Sequence, residues 1–223
     1  LIANEVLDPV ALRWLAQESA AGWEVYVQVD SLAGVAAADG LRLLVELGHP
    51  GGRTGTRTVA DLEEVARAAG EQLAGVTAYE GQLPDQGAVD DFLDRFVAGV
   101  ARLRDAGLLP ERPIVSAGGS AWFDRVVDRL ATLPEPVRVV LRSGASVTHD
   151  DGFYRERTPF LRVPSEGPLA AALEIWAQVL SVPEPGLALA GMGKRDAPFD
   201  EGLPVPLQIR RPDGSLSQAD GLT

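Results

Sequence analysis

Two adjacent glycines and a serine, Gly118-Gly119-Ser120, stand between the apolar run Pro113-Ile114-Val115 and a helical pattern that starts at Phe123. Glycines at the mouth of a strand let the backbone approach a ligand, and the N–H groups that open a helix favour an anion, so the natural guest is a phosphate. The same three residues also make an ordinary turn, and their place in the chain has to decide. Asp30, Glu46, Tyr79 and Arg142 each fall at or near the end of an apolar run, with Glu80 beside Tyr79. Carboxylates there suit acid–base work, or equally the capping of a neighbouring loop. Arg53 lies in the glycine-rich stretch 48–57, where a guanidinium has room to donate two hydrogen bonds to a ligand oxygen or simply to meet solvent. His49 and His149 are the only histidines, and neither has a second His or a Cys at ligand spacing, so a metal site wholly within the chain is not expected. The single lysine, Lys194, sits in a proline-rich region, where an exposed or ion-paired side chain is expected rather than a covalent one.

These residues are positioned by an alternation of short apolar runs and helical patterns. Leu1 to Glu5 reads as the tail of a strand, and Asp8-Pro9 caps a helix carrying Val10, Leu12 and Leu15. Strands follow at 23–29, 41–47, 73–79, 113–116 and 137–141. Between them lie helices at 32–38, from Thr58-x-x-Asp61 to Ala69, at 89–103 with Phe92, Phe96, Val100 and Leu103 on one face, and from Phe123. The stretch 48–57 reads as a long flexible loop. No hairpin signal separates the strands, which argues for parallel βα units. Six such units fit a (β/α)₈ TIM barrel whose first two lie ahead of Leu1, and in that fold chemistry sits at the carboxyl ends of the strands, with a phosphate site behind the last two. Gly118-Gly119 and Ser143-Gly144-Ala145 then follow the seventh and eighth strands. From about residue 166 the texture changes: residues 173–180 alternate partly at period two, prolines become frequent, and Pro212-Asp213-Gly214 marks a turn. The expected division is a partial barrel at 1–165 and the start of a β-rich domain at 166–223.

The 223 residues carry a net charge of −12, with 46% hydrophobic and 23% charged residues, an ordinary globular composition whose sign repels nucleic acid and anionic membrane. No cysteine is present, which excludes disulfides and thiolate metal sites. No signal peptide and no membrane-spanning run is visible, and a cytoplasmic protein is expected. The chain starts at Leu1 without Met and is expected to be the interior of a longer polypeptide.

Six segments, in order, carry something more specific: Asn4-Glu5-Val6-Leu7-Asp8-Pro9; Val45-Glu46-Leu47-Gly48-His49-Pro50-Gly51-Gly52-Arg53-Thr54-Gly55; Ala78-Tyr79-Glu80-Gly81; Val115-Ser116-Ala117-Gly118-Gly119-Ser120; Leu141-Arg142-Ser143-Gly144 with Val147-Thr148-His149-Asp150; and Gly193-Lys194-Arg195-Asp196. Together they resemble the D-threonine aldolase and D-serine dehydratase-like family. The resemblance implies a pyridoxal phosphate enzyme with an alanine-racemase-type barrel, a following β-domain, and a homodimer. By that pattern Gly118, Gly119, Ser120, Gly144 and Ala145 match the phosphate-cradling loops, Arg53 matches the arginine near the cofactor's phenolic oxygen, and Thr77 and Tyr79 lie on the strand facing the ring. The Schiff-base lysine of the family belongs to its first strand, expected ahead of Leu1, and Lys194 does not match it. No catalytic residue is therefore assigned within the chain. The divalent metal of the family, Zn or Mn, is held by residues expected beyond Thr223. Ser146 and Asp151 stand where close relatives carry Tyr and His.

The expected activity is a lyase acting on D-configured amino acids of the serine or threonine type, as dehydratase, deaminase or aldolase. Three alternatives stay open: a non-catalytic barrel binding pyridoxal phosphate or another phosphometabolite, an amino acid racemase, and a cofactor-free hydrolase using Asp30, Glu46 or Glu80.

Overall fold

The computed structural model describes residues 2–150, 152–200 and 202–222 and divides into two compact units, Leu1–Gly144 and Ala145–Thr223. Leu1 and Asp151 lie outside the described residues. In the first unit the order is β1 (Ile2–Glu5), α1 (Pro9–Ala20), β2 (Tyr26–Val29), α2 (Leu32–Ala37), β3 (Arg42–Leu47), α3 (Val59–Ala69), β4 (Leu73–Ala78), α4 (Gln86–Asp105), β5 (Ile114–Ala117), α5 (Phe123–Leu130) and β6 (Arg138–Leu141). The six strands form one sheet in the order β1-β2-β3-β4-β5-β6, and every pairing is parallel. A doubly wound sheet reverses its strand order part-way; a sheet whose spatial order is its sequence order, all parallel, has the winding of a βα barrel. The six units expected from the sequence are all present.

Local chemistry sets the helices. The Asp8 carboxylate accepts from Val10 N at 3.0 Å with Pro9 at the first helical position, and Thr58 and Asp61 form a reciprocal capping box on α3, at 3.1 and 3.2 Å. The helix α4 starts three residues before the expected 89, and its cap Asp85 accepts from Ala88 N at 2.9 Å. The helices bury their apolar stripes on one face of the sheet, where Val27, Val29, Leu43, Val45, Leu47, Val76, Val115 and Ala117 meet Leu62, Phe92, Phe96 and Leu103. Alternate residues point to the opposite, inner face, which is apolar at its base with Tyr26, Leu44 and Ile114. The pairing of β3 with β4 shifts register between Leu43 and Leu44, and Gly75 of β4 lies beside Ile114 of β5.

The second unit holds α6 (Phe153–Arg157) and two antiparallel hairpins, β7 (Val179–Glu184) with β8 (Leu187–Ala190) and β9 (Gln208–Arg210) with β10 (Leu216–Gln218). The turn at Pro212-Asp213-Gly214 is present, with Gly214 at φ 84 and Asp213 Oδ1 accepting from Ser215 N. The alternation read over 173–180 becomes strand only from Val179, because Leu173, Ile175 and Trp176 lie exposed in a stretch without regular structure. The first compact unit closes at Gly144, and the described residues among 145–166 form short 3-10 turns and a five-residue helix that add no strand to the parallel sheet.

Candidate functional site

At the carboxyl ends of the strands the inner face turns polar. Leu44 and Ile114 are succeeded two residues on by Glu46 and Ser116, Thr77 of β4 pairs with both, and Glu5 of β1 pairs with Gln28 of β2. Above this layer lies a cavity of about 200 Å³ lined by Ala3, Glu46, Arg53, Tyr79, Gly118 and Arg142. Glu46 lies near the end of β3, and Arg53, Tyr79, Gly118 and Arg142 follow β3, β4, β5 and β6, so neighbouring parallel strands bring them together.

Arg142 is fixed from two sides. Its Nε donates to Ser116 Oγ at 3.0 Å and its Nη2 to the Ala78 carbonyl at 2.5 Å, while the Ser116 hydroxyl itself donates to the Val140 carbonyl. Burial pulls the guanidinium below its usual pKa, against the attraction of Glu46, Glu80 and Tyr79, and Arg53 adds to the lowering. An arginine still keeps its proton there, so Arg53 and Arg142 give the cavity two positive walls.

Glu80 is fully buried, and its two carboxyl oxygens accept from the backbone N–H groups of Gly118 at 3.2 Å and Gly119 at 2.5 Å. The amides that the sequence assigns to a phosphate are thus committed to an internal carboxylate. Burial raises the Glu80 pKa; its own backbone N–H, the N–H groups of Gly119 and Gly118, and Arg142 work in the opposite direction. Glycine is required here on steric grounds: Gly118 has φ 112, and a Cβ at Gly119 would lie 3.0 Å from Gly81 Cα and 3.2 Å from Glu80 Oε1.

Glu5 faces Glu46. Both Glu5 oxygens and Glu46 Oε2 are buried with no donor among the described residues, and burial together with the Glu46 carboxyl pushes the Glu5 pKa up to about 8. A protonated Glu5 supplies the missing donor. Because the folded value lies above the ordinary 4.5, the folded chain binds more protons between these limits, and its stability falls as pH rises from 4.5 to about 8. Glu5→Gln, which carries its own hydrogens, is expected to flatten that slope in melting temperatures measured across the window; an unchanged slope would exclude a proton shared at this pair.

The loop 48–57 differs from the flexible loop expected. The Arg57 guanidinium donates to the carbonyls of Thr54, Gly55 and Gly52 at 2.7, 2.6 and 2.8 Å, and Asp30 Oδ2 accepts from Gly55 N at 3.0 Å. Asp30 therefore ties down a loop, and the fixed loop carries Arg53 to the cavity. Of the residues expected to hold a cofactor, Arg53, Tyr79 and Gly118 line this cavity. Thr77 lies deeper, fully buried, with its hydroxyl accepting from Gln28 Nε2 at 3.0 Å. Gly119 is on Glu80, and Ser120 Oγ lies 3.4 Å from Ser143 Oγ, which links the ends of β5 and β6. Gly144 leaves open space where a Cβ would stand, and Ala145 begins a 3-10 turn in the second unit. Lys194 is ion-paired to Asp200 at 2.6 Å in the second unit, as expected of a non-covalent lysine. Sequence reasoning missed Glu5, Ser116 and the inward role of Glu80. The signal for Ser116 was available in the alternation Ile114-x-Ser116, a polar residue on the face its apolar neighbour had defined.

No family model matches the chain. The 3-hydroxy-D-aspartate aldolase of Paracoccus denitrificans (strain Pd 1222) is 27% identical to it over 225 residues, covering 92% of this chain and 56% of that protein. The resemblance to the D-threonine aldolase and D-serine dehydratase-like family stands. The chain spans just over half the length of the curated relative it matches. Two solved structures are similar at lower levels. A lysine/ornithine decarboxylase complexed with putrescine, from Vibrio vulnificus, gives a TM-score of 0.49 at 17% identity over 63% of this chain and 42% of that one. The H351A mutant of a D-threo-3-hydroxyaspartate dehydratase gives 0.47 at 25% identity over 66% and 41%. Among the described residues no group of three or more His, Cys, Asp or Glu could hold a metal ion, and no helix is long and apolar enough to cross a membrane.

Proposed function

We propose that the chain forms the cofactor-binding part of a pyridoxal phosphate-dependent lyase acting on D-configured β-hydroxy amino acids, as aldolase or dehydratase, built on an alanine-racemase-type (β/α)₈ barrel. The reading rests above all on one observation: Glu46, Arg53, Tyr79, Gly118 and Arg142, drawn from four of the segments that carry the family resemblance, line one cavity. The match to an aldolase of a hydroxylated D-amino acid, over 92% of the chain, supports the same class.

The residues present fit the cofactor. The cavity sets two guanidinium groups against a Tyr ring and a glycine of left-handed φ, which suits a flat anionic molecule brought close to the backbone. Arg53 would hold anionic oxygens on the loop side and Arg142 on the β6 side, with Ser120 and Ser143 at the adjoining strand ends. Glu80 keeps Gly118 and Gly119 in place. When bound, pyridoxal phosphate supplies an electron sink for the pair released at the amino acid's Cα. The chain's own part is to bind and orient: Arg142, held by Ser116 and Ala78, cannot swing away, and a protonated Glu5 donates to the Glu46 carboxyl at the cavity wall. The lysine that attaches the cofactor, and the ligands of a divalent metal, would come from residues other than those described. A homodimer and a cytoplasmic location belong to the same proposal.

The test is product analysis. Protein supplied with pyridoxal phosphate is incubated with D-serine, D-threonine and 3-hydroxy-D-aspartate, and with their L-enantiomers. An aldehyde plus glycine marks an aldolase, and a 2-oxo acid plus ammonia a dehydratase; turnover of L-forms alone, or none that depends on the cofactor, overturns the reading. Arg53→Ala is expected to weaken cofactor binding about tenfold or more, the worth of a charge-assisted hydrogen bond, in a fluorescence titration.

A further inference from the structure

Arg53 reaches the cavity from a loop that closes on itself. Thr56 donates through its backbone N and its Oγ1 to the Glu46 carbonyl at 2.8 and 3.0 Å, and Gly48 N donates to the Thr56 carbonyl at 2.7 Å, so the chain that leaves β3 returns to its point of departure. Within that ring the Arg57 guanidinium is turned back on the main chain. Its Nη2 donates to the Gly52 carbonyl at 2.8 Å, and its Nη1 to those of Thr54 and Gly55 at 2.7 and 2.6 Å. These acceptors stand on both sides of Arg53 in the sequence, and a planar guanidinium that holds both sides at once fixes the backbone between them. The loop crosses itself closely: Gly55 has φ 90, a Cβ there would strike Gly48 N, and one on Gly48 would strike the Thr54 carbonyl oxygen and Arg57 Nη1. Two further pins come from other elements. Asp30 Oδ2, at the end of β2, accepts from Gly55 N at 3.0 Å, and Arg95 of α4 donates through Nη2 to the Gly48 carbonyl at 2.9 Å. Arg53, the residue enclosed by these contacts, lines the cavity, and Arg57 does not.

We propose that Arg57 is a positioning residue: by holding the carbonyls of Gly52, Thr54 and Gly55 it sets Arg53 at the cavity wall before an anionic ligand arrives, and it touches no ligand itself. The inference rests on the reading of the cavity as the cofactor site, in which Arg53 holds anionic oxygens. Ordering a glycine-rich loop at the moment of binding costs affinity, and a loop already ordered in the folded chain moves that cost into folding. The whole effect of Arg57 on binding passes through Arg53, so it cannot exceed the effect of Arg53. A lysine in its place keeps the charge but not the reach, because one ammonium cannot bridge carbonyls on both sides of Arg53 as the flat fork does.

The experiment measures dissociation constants for pyridoxal phosphate by fluorescence titration of the full chain carrying Arg57→Ala, Arg57→Lys, Arg53→Ala, or Arg53→Ala together with Arg57→Ala. Binding about fivefold weaker is expected for Arg57→Ala and nearly as much for Arg57→Lys, whereas in the Arg53→Ala background the loss of Arg57 should add less than about twofold. General damage to the fold, or a long-range pull of the Arg57 charge on the anion, would cost the same with Arg53 present or absent. A loss of equal size in both backgrounds, no loss at all, or full affinity in Arg57→Lys therefore overturns the role. Trypsin supplies a readout that needs no cofactor. Under native conditions Arg57→Ala is expected to be cut after Arg53 about tenfold faster than the unaltered protein, since cleavage follows the population of the opened loop; an unchanged rate overturns the clamp. If the unaltered protein does not take up pyridoxal phosphate, or Arg53→Ala binds it as tightly, the assignment of the cavity falls, while faster cleavage after Arg53 still supports the hold of Arg57 on the loop.

Discussion

Gly75→Ala is expected to yield no stably folded first unit. A Cβ at Gly75 would stand 1.9 Å from the Ile114 carbonyl oxygen and 2.7 Å from both the carbonyl carbon and the nitrogen of Ile114. All three are main-chain atoms of β5, so no side chain can move aside, and the methyl fits only if β4 and β5 separate. Their separation would break the pairings Gly75–Ile114, Val76–Val115 and Thr77–Ser116 and expose Val76, Val115 and Thr77, each of which is fully buried. Overpacking a core costs about 1–3 kcal/mol when side chains can adjust, and here the adjustment is the loss of a central strand pair, so more than about 5 kcal/mol is expected, comparable to the whole stability of many domains. Thermal melts followed by circular dichroism give the measure. Gly144→Ala is the control, since a Cβ there meets nothing nearer than the Arg142 carbonyl at 4.0 Å and should leave the melt unchanged. A cooperative melt of Gly75→Ala close to that of the unaltered protein would mean that β4 and β5 are not packed in this register.

Gly75 also shows where the sequence stops being legible. The succession of strands and helices can be read locally, because each signal acts within a few residues: Asp8-Pro9 starts α1, Thr58 with Asp61 starts α3, and Phe92, Phe96, Val100 and Leu103 recur at helical spacing on α4. The parallel winding follows from the lack of hairpin turns. The bulge before Gly75 leaves no such trace, since Leu73-Ala74-Gly75-Val76 is one apolar run in which a shift of register changes no residue type. The candidate site divides in the same way. Arg53, Tyr79 and Gly118 could be named because strand ends are where a barrel works, whereas the meeting of Glu80 with Gly118 and Gly119 spans 38 and 39 residues and exists only once β4 and β5 are neighbours. The loop 48–57 was misread as flexible for a related reason. Its glycines are visible in the sequence, but the three carbonyls gathered by Arg57 are backbone groups that any sequence would offer. In the second unit, alternation alone proved a poor guide at 173–178, where apolar residues lie exposed and no strand partner is found among the described residues.

Glu80→Ala should open the most informative lesion in the candidate site. The truncation leaves the N–H groups of Gly118 and Gly119 buried without acceptors, at about 1–3 kcal/mol for each orphaned donor, and partly offsets this by removing a carboxylate that burial already disfavours. A net loss of about 3 kcal/mol lowers the melting temperature by about 6–12 °C in a chain of this size. What separates this from ordinary core damage is rescue. The two N–H groups and the vacated volume form a cradle shaped for a small carboxylate, so formate should restore part of the lost melting temperature in Glu80→Ala and leave the unaltered protein unmoved, while chloride at equal ionic strength should do neither. Inorganic phosphate in the same assay then bears on the cofactor. If phosphate rescues as formate does, the double glycine can cradle a dianion once Glu80 is gone, and Glu80 is a competitor for that place. If formate alone rescues, the space fits only a carboxylate, and the phosphate of the proposed cofactor must be gripped by Arg53, Arg142 and the serine hydroxyls at the ends of β5 and β6, with Glu80 serving to hold the glycines out of its way. Failure of both anions to rescue would show that the Gly118–Gly119 turn does not outlast its carboxylate, and the loop would then owe its conformation to Glu80 alone.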